Sequence, residues 1–261
     1  MLDLAKVERF RTLATARGPL LIATDLDGTL APIVQRAGEA RVPTSALAVL
    51  DRLTQRVTVA VITGRDLNTA RRMVPCEAAV VVGSHGLEAT FTDGLLPHVD
   101  RVALGLALER VEQEVLTRVP SALVGVERKA ISTAFHYRDA PELEGRLREA
   151  LHDLPDMLRL RDGRRVLEVL PNADGGKHRA LAALVNHFKP RALLVLGDDR
   201  TDAVMFEEAL VQRERGLHVL IAGVSGGEET PPEIVELSDL MLHSTDEAIE
   251  ALETVARALG V

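Results

Sequence analysis

One apolar run that ends in two acids places the tightest limit on how this chain can fold. Residues 20–24 read LLIAT, and Asp25, Leu26 and Asp27 follow them directly. An unbroken apolar run of this length is typical of a parallel strand that is buried on both faces. Acids at a strand end cost stability unless they are paired or bind a metal. Because ligands of open α/β sheets bind beyond the carboxyl ends of the strands, we predict a catalytic site here rather than a simple Asp-Gly turn.

A second apolar run, later in the chain, ends in three more acids. Residues 193–196 read LLVL, and Asp198, Asp199 and Asp202 follow within six positions. Carboxylates this close to one another repel unless a cation lies among them. Mg²⁺ suits such a cluster, because it binds few carboxylates and keeps waters and phosphate oxygens as its other ligands. The sequence therefore predicts a magnesium cofactor.

Two shorter signals fit a site for a phosphate group. Thr63, Gly64 and Arg65 end a second strand, where a hydroxyl and the amides of the next helix can hold a phosphate oxygen. The alternative is an ordinary strand-to-helix turn in which Thr63 is only a cap. Lys177 follows two glycines at a predicted helix start, where its ammonium group would lie near the phosphate. A single exposed lysine usually has no such role, so this prediction depends on the neighbouring acids.

The order of predicted elements indicates a core with an inserted unit. A chain of 261 residues can hold one large α/β domain with a modest second domain. Strands and helices alternate in residues 1–100 and 172–261, which predicts a parallel α/β core in two parts. Residues 101–171 instead show the order helix-strand-strand twice. We therefore predict an α+β cap domain, built from two αββ units and inserted into the core.

Local patterns predict where several elements begin and turn. Thr44 or Ser45 is expected to cap the second helix, and Ser244 with Glu247 is expected to form a capping box. Asp93-Gly94 predicts the turn of a hairpin. The spacing of apolar residues near the N-terminus predicts an amphipathic helix with one apolar side, formed by Leu4, Val7, Phe10 and Leu13.

The motifs together resemble a known family. DLDGT at residues 25–29 is similar to the first signature of the haloacid dehalogenase-like phosphohydrolases, and the longer DLDGTLAPI resembles their trehalose-phosphate phosphatase family. The later segments GSHGLE, ERKAISTAFHYR, GRRVLEVLP, NADGGKH and GDDRTD are similar to other segments of that family. The resemblance implies a Rossmann-like core with a cap, and Mg²⁺-dependent hydrolysis of trehalose 6-phosphate.

The resemblance also implies a two-step reaction with named groups. Asp25 would attack phosphorus and form an aspartyl phosphate. Asp27 would protonate the departing sugar oxygen and then activate water. Thr63 and Lys177 would hold the phosphate oxygens.

The metal site implied by the resemblance uses both acidic clusters. Mg²⁺ would be held by the Asp25 carboxylate, the Asp27 carbonyl and Asp198. Asp199 and Asp202 would orient these ligands or Lys177 without binding the metal directly.

The substrate-binding residues are carried over from the resemblance in the same way. They come from the loops of the core and from the cap: Arg65, His85, Gly86, Glu127, Lys129, His136, Arg138 and Glu168. Alternation along an extended chain puts Glu127 and Lys129 on one face, and we expect these two and Glu168 to bind the sugar. The alternative is that the cap residues form the solvated face of an antiparallel sheet, where charged residues usually lie.

Composition limits the partners of the protein. A net charge of −8 and only 2% aromatic residues argue against nucleic-acid binding. No apolar run is long enough to span a membrane, and a single cysteine, Cys76, suits a buried position in a cytoplasmic protein. We therefore expect a cytoplasmic monomer that binds a small sugar phosphate. Two alternatives stay open, namely a phosphatase for another sugar phosphate such as sucrose phosphate, and a non-catalytic sugar-phosphate sensor.

Overall fold

The fold comes from a computed structural model that describes residues 1–34, 36–90, 100–163, 165–173, 175–227 and 230–261. The hairpin turn predicted at Asp93-Gly94 lies outside the described residues. The chain divides into two compact units. The first joins Met1–Leu96 with Gly175–Val261, and the second is Pro97–Asp174.

Strands and helices alternate through most of the chain. The strands are β1 (Leu20–Thr24), β2 (Thr58–Ile62), β3 (Val80–Gly83), β4 (Glu88–Ala89), β5 (Gly125–Arg128), β6 (Thr133–His136), β7 (Leu158–Gly163), β8 (Val166–Pro171), β9 (Ala192–Gly197), β10 (His218–Val224) and β11 (Leu240–Leu242). The helices are α1 (Leu4–Ala14), α2 (Thr44–Leu53), α3 (Leu67–Met73), α4 (Arg101–Arg118), α5 (Glu144–Ala150), α6 (Lys177–Phe188), α7 (Arg200–Glu214), α8 (Pro232–Leu237) and α9 (Thr245–Leu259).

In the first unit, helices pack against both faces of one central sheet. Within its described residues the strand order is β11-β10-β9-β1-β2-β3-β4, and neighbouring strands are parallel except for the antiparallel pair β3 and β4. Helices α1, α2 and α9 contribute to the apolar core on one face, while α6 and α7 contribute to the core on the other.

The central strands are almost entirely apolar because both of their faces are buried, and the buried hydroxyl of Thr24 at the end of β1 donates to the carbonyl of Asp25 at 2.8 Å. All of β1 and all of β9 are buried. Leu20 and Ile22 pack into the core on one face of the sheet, and Leu21 and Ala23 pack into the core on the other. The buried parallel strand predicted from LLIAT is therefore confirmed.

The second unit is an α+β layer with its own sheet. The strand order in its described residues is β5-β6-β8-β7, and all three strand pairs are antiparallel. The elements follow the predicted order of α4, β5, β6 and then α5, β7, β8. A mostly parallel sheet with a separate antiparallel sheet confirms the predicted fold class.

Some local predictions were wrong. Leu4 is 88% exposed, because it is the first residue of α1 and the buried side of that helix is formed by later residues such as Phe10 and Leu13. Leu2, which precedes the helix, is buried instead. Helix α2 has Pro43 as its N-cap, without a side-chain bond, so neither Thr44 nor Ser45 caps it.

The last helix keeps only half of its predicted capping box. The Ser244 side chain caps α9 by accepting a hydrogen bond from the amide of Glu247. The Glu247 carboxylate, however, accepts from the amide of His243 at 3.0 Å rather than from that of Ser244. Cys76 is buried, as predicted. Among the helices that the structure describes, none has the length and apolar character to cross a membrane.

Candidate active site

The two acidic clusters meet because their strands are neighbours. Strands β1 and β9 are parallel, with Thr24 opposite Leu196, and the amide of Asp25 donates to the carbonyl of Leu196 at 3.0 Å. Each strand then ends at the same edge of the sheet. One carboxylate oxygen from each of Asp25, Asp198 and Asp202 lies within 4.8 Å of the others, and all three residues are buried.

The turn after Asp25 is shaped to approach Asp198 closely. Gly28 has a φ of +87°, and a Cβ at this position would lie 2.0 Å from Oδ2 of Asp198. Only glycine tolerates both the backbone conformation and the close approach. The hydroxyl of Thr29, which is fully buried, donates to Oδ1 of Asp198 at 3.0 Å. Gly28 and Thr29 of the DLDGT motif therefore fix the position of the Asp198 carboxylate, which follows β9.

Lys177 supplies the positive charge among these acids. It is the first residue of α6 and is 2% exposed. Its Nζ donates to Oδ1 of Asp25 at 2.6 Å and to Oδ1 of Asp202 at 2.7 Å. Burial alone would lower the pKa of Lys177, but the attraction of Asp202 and Asp25 outweighs burial and raises it. The ammonium group is therefore held charged between two carboxylates.

Asp199 and Asp202 form the capping box of α7. Asp199 is the N-cap, and its side chain accepts from the amides of Thr201 and Asp202. Oδ2 of Asp202 accepts from the amides of Asp198 and Asp199, at 3.0 and 3.1 Å. Both oxygens of Asp202 thus accept bonds from the protein, which leaves Asp25 and Asp198 better suited to bind an ion.

The charge balance of the cluster favours a cation. The pKa of Asp25 is raised to about 7, because burial outweighs the opposing effect of Lys177 and the nearby charge of Asp198 acts in the same direction as burial. The pKa of Asp198 is also raised to about 7, by burial and by repulsion from Asp202. One ammonium group therefore does not offset the acids that surround it. An all-oxygen donor set with excess negative charge, cradled by a glycine, fits Mg²⁺.

Asp27 and Arg65 form a close ion pair beside the cluster. Nε and Nη2 of Arg65 each donate to one Asp27 oxygen at 2.6 Å, and this hydrogen bonding raises the pKa of Arg65. The hydroxyl of Thr63 is buried and accepts from the amide of Arg65 at 3.2 Å. The N-cap of α3 is Asp66, whose side chain accepts from the amide of Thr69, so the alternative in which Thr63 is only a cap is wrong.

The segment with His85 has an unusual backbone. Ser84, His85 and Gly86 have φ values of 49°, 53° and 91°. The left-handed region costs a residue other than glycine about 1–2 kcal/mol, so Ser84 and His85 need contacts that hold them there. A Cβ on Gly64 would lie only 2.5 Å from the imidazole of His85, which is too close for any side chain at position 64. Gly64 therefore allows the predicted substrate residue His85 to lie against the loop of Thr63.

The second unit gathers charged groups around Glu168. Oε1 of Glu168 accepts from Ser132 at 2.8 Å and from Lys129 at 3.2 Å, and Oε2 accepts from Arg161 at 2.5 Å. Burial alone would raise the pKa of Glu168, but Lys129 and Arg161 lower it to about 2. Glu168 is largely buried. It is therefore not part of an ordinary solvated sheet face.

Three further predicted residues of this unit are more exposed. Nε2 of His136 lies 3.0 Å from Oε2 of Glu127, and Arg138 is exposed in the turn after β6. Glu127 on β5 and Glu168 on β8 both lie opposite Ala134 on β6, so these two acids share one face of the sheet. The structure thus brings Glu127, His136, Lys129 and Glu168 to one region of the second unit.

Sequence reasoning assigned no role to four residues that form hydrogen bonds with the groups described above. Thr29 belongs to the DLDGT motif and Glu88 closes the GSHGLE segment, but neither was assigned a role. Ser132 and Arg161 gave no signal of their own, because their importance depends on their position beside Glu168. In the register of β7 and β8, Arg161 is the direct partner of Glu168. An alternation test on residues 158–163 would have put Arg161 on a polar face, without identifying its partner.

Comparisons with known proteins agree with the motifs. The chain matches the trehalose-phosphatase family over residues 23–237. Trehalose-phosphate phosphatase of Mycobacterium avium is 34% identical over 212 residues, which are 76% of this chain and 53% of that protein. Trehalose-phosphate phosphatase of Mycobacterium tuberculosis is 29% identical over 245 residues, which are 86% of this chain and 61% of that protein. The chain therefore spans little more than half the length of these relatives.

A solved structure shows the same fold. The C-terminal domain of Candida albicans trehalose-6-phosphate phosphatase superposes with a TM-score of 0.66 at 20% identity. The likeness covers 97% of this chain and 96% of that one. It confirms the predicted haloacid dehalogenase-like architecture.

Proposed function

Because this chain belongs to the trehalose-phosphatase family, we propose that it hydrolyses trehalose 6-phosphate to trehalose and phosphate. The observation that carries the proposal is the buried contact of Lys177 with both Asp25 and Asp202, beside Asp198. A cluster with only a structural role would gain little stability from burying more acids than cations. Perturbed ionisable groups of this kind concentrate at catalytic sites.

In the first step, Asp25 attacks phosphorus. The bond from phosphorus to the sugar oxygen breaks, a bond from phosphorus to Asp25 forms, and Asp27 gives its proton to the sugar oxygen. Lys177 opposes the rise in the pKa of Asp25 and holds its carboxylate in one orientation. When bound by Asp25, Asp198 and the Asp27 carbonyl, Mg²⁺ supplies positive charge that offsets the repulsion between phosphate and carboxylates.

In the second step, water attacks the phosphorus of the aspartyl phosphate. Asp27 takes the proton of that water, and the bond between phosphorus and Asp25 breaks to release phosphate. The two hydrogen bonds from Arg65 hold the Asp27 carboxylate in one orientation for this step. In the first step Asp27 must be protonated, so we expect the incoming phosphate dianion to compete for Arg65 and loosen the pair. Thr63 and His85 would complete the contacts with phosphate and sugar.

The polar face of the second unit is proposed to bind the trehalose part of the substrate. Sugar hydroxyls are best recognised by fixed charged groups, because an unmatched buried polar group is costly. Glu168 is fixed by Lys129, Ser132 and Arg161 before any ligand arrives. Glu127 lies on the same sheet face and adds a further acceptor.

A phosphate-release assay tests the proposal. The panel is trehalose 6-phosphate, sucrose 6-phosphate, glucose 6-phosphate and p-nitrophenyl phosphate, each with Mg²⁺ or with excess chelator. We expect trehalose 6-phosphate to give the highest kcat/KM, and turnover to vanish in chelator and in Asp25→Asn. A preference for another sugar phosphate would replace the substrate. Binding of trehalose 6-phosphate without turnover of any ester would instead identify a sensor, and full activity after verified metal removal would overturn the metal's role.

A further inference from the structure

Glu88 is a buried acid that the proposed reaction does not use. It is 2% exposed and begins the short strand β4. Its Oε2 accepts from the Ser84 hydroxyl at 2.7 Å and from the Leu67 amide at 3.2 Å. Leu67 is the first residue of α3, directly after the loop of Thr63 and Arg65. One carboxylate oxygen therefore ties the left-handed segment to that loop.

The left-handed segment in turn connects two loops of the candidate active site. The amide of His85 donates to the carbonyl of Thr63 at 3.0 Å. The carbonyl of His85 accepts from the amide of Gly176 at 2.6 Å. Gly176 precedes Lys177, whose ammonium group contacts Asp25. A continuous chain of contacts thus runs from Glu88 through Ser84 and His85 to the loop that carries Lys177.

The segment needs such an anchor because its backbone is unfavourable. Ser84 and His85 are consecutive non-glycine residues at positive φ. Residues in this region keep their conformation only when the surrounding contacts impose it. The amide of Ser84 also donates to the carbonyl of Arg65 at 2.7 Å, but this bond fixes the backbone and leaves the side chain to Glu88. Without Glu88, the Ser84 side chain and the α3 amide would both lose an acceptor.

We propose that Glu88 is a positioning residue that holds Ser84 and His85 in the left-handed conformation, so that His85 keeps the Lys177 loop in place for catalysis. The inference rests on the proposed phosphatase function but can also be tested without it. Glu88 bonds to Ser84 and to the amide of Leu67, so we expect its effect on Lys177 to pass through His85. Its loss should therefore lower kcat, because Lys177 acts on the reacting groups, and should leave KM nearly unchanged for p-nitrophenyl phosphate, which makes no sugar contact with His85.

The test compares variants at positions 84 and 88. Glu88→Ala is expected to lower kcat roughly tenfold or more on both trehalose 6-phosphate and p-nitrophenyl phosphate, because a misplaced charged group loses transition-state stabilisation. Glu88→Gln keeps one carbonyl oxygen that can accept both bonds, so it should stay within roughly threefold of the parent. The matched control is Glu247→Ala, which also removes an acceptor from a backbone amide but contacts none of these loops. It should lower the urea midpoint of unfolding and leave kcat unchanged.

Glycine at position 84 separates positioning from general stability. Ser84→Ala and Ser84→Gly both remove the hydroxyl, but only glycine adopts positive φ without strain. We therefore expect the Gly variant to exceed the Ala variant in kcat by roughly threefold or more, both in the parent and with Glu88→Ala. If Glu88→Ala does not fold, the comparison of the two single substitutions at Ser84 still tests the proposal. Equal kcat for Ser84→Ala, Ser84→Gly and the parent would overturn the proposal.

A readout that does not depend on turnover completes the test. Hydrogen exchange at the Gly176 amide reports its bond to the His85 carbonyl. Glu88→Ala should speed this exchange, while Glu247→Ala should not. Faster exchange in a protein that hydrolyses no phosphate ester would support the positioning role and refute the phosphatase function. Unchanged exchange and unchanged kcat in folded Glu88→Ala would refute the positioning role alone.

Discussion

Replacing Lys177 by methionine tests the electrostatics of the site directly. Methionine keeps most of the side-chain volume but removes the ammonium group, which donates to Asp25 and Asp202 over 2.6 and 2.7 Å. Removing one partner of a buried ion pair costs about 3–5 kcal/mol, because the remaining charge is left uncompensated. The substitution leaves three buried acids without their lysine. We therefore expect metal-free Lys177→Met to lose about 3–5 kcal/mol of its free energy of unfolding at pH 7.5.

The measurement is urea unfolding of the metal-free protein, combined with phosphate release in Mg²⁺. Turnover should fall by roughly 10²–10³, as expected when one charged stabiliser of the transition state is lost. Adding Asp202→Asn should recover part of the stability, since it removes one unpaired charge and keeps an oxygen for the Asp198 and Asp199 amides. It should not recover turnover. Mg²⁺ at 100 times its Kd should return about 2.7 kcal/mol of stability to a variant that still binds it.

One result would refute this reasoning. If metal-free Lys177→Met unfolded at the same urea concentration as the parent at pH 7.5, the ammonium group would not be compensating buried charge. The contacts with Asp25 and Asp202 would then have no electrostatic importance for folding, and the charge balance drawn from them would be wrong.

Two further predictions concern pH and substrate choice. The pKa values of Asp25 and Asp198 rise on folding from 3.8 to about 7, so the folded state binds more protons than the unfolded state between these values, and stability falls as pH rises from about 4 to about 7. Urea midpoints of the metal-free protein should therefore decrease between pH 5 and pH 8, and less steeply in Asp198→Asn; a constant or rising midpoint would contradict this. In the second unit, Glu168→Ala should lower kcat/KM for trehalose 6-phosphate by roughly tenfold or more, at about 1–3 kcal/mol per lost contact, with much less effect on p-nitrophenyl phosphate. Glu114→Ala, which breaks an exposed ion pair with Arg118 on α4, should leave kcat/KM unchanged for both substrates. Equal losses of kcat/KM on both substrates in folded Glu168→Ala would argue against a sugar contact.

The sequence was most informative where one physical demand determined the residues. A strand buried on both faces is made almost entirely of apolar and β-branched residues, so the runs LLIAT and LLVL are enough to identify β1 and β9. Acids placed directly after such strands stand out, which is why Asp25 and Asp198 could be named. That the two acids meet depends on β1 and β9 being neighbours, and apolar runs alone do not specify strand order.

Contacts between distant residues were less accessible. The pattern of Ser244 and Glu247 predicted a capping box, but the full reciprocal box occurs at Asp199 and Asp202. Aspartate at the third helical position is a weaker signal than glutamate there, although the capping geometry is the same. The partners of Glu168 were equally hidden, since Ser132 and Arg161 come near it only through the register of the antiparallel sheet.

Helix starts were the least reliable of the local signals. Thr44 and Ser45 are good capping residues by type, yet Pro43 occupies the N-cap of α2. Proline has a fixed φ that suits the entry to a helix, and this can outweigh the hydrogen bond that a Thr or Ser cap would add. The preference of a residue for a cap therefore predicted that a helix begins here, but not which residue begins it.

The position of β1 beside β9 determines when the candidate active site can assemble during synthesis of the chain. Asp25 and Lys177 are 152 residues apart, and the whole second unit lies between them in the chain. During synthesis β1 can pair with β2 early, but β9 arrives only after the second unit has been made. Pairing between strands so distant in sequence is intrinsically slow. A chain that stops before β9 would therefore carry Asp25 and Lys177 without Asp198 and Asp202, which follow that strand, and the proposed phosphatase activity would require a complete central sheet.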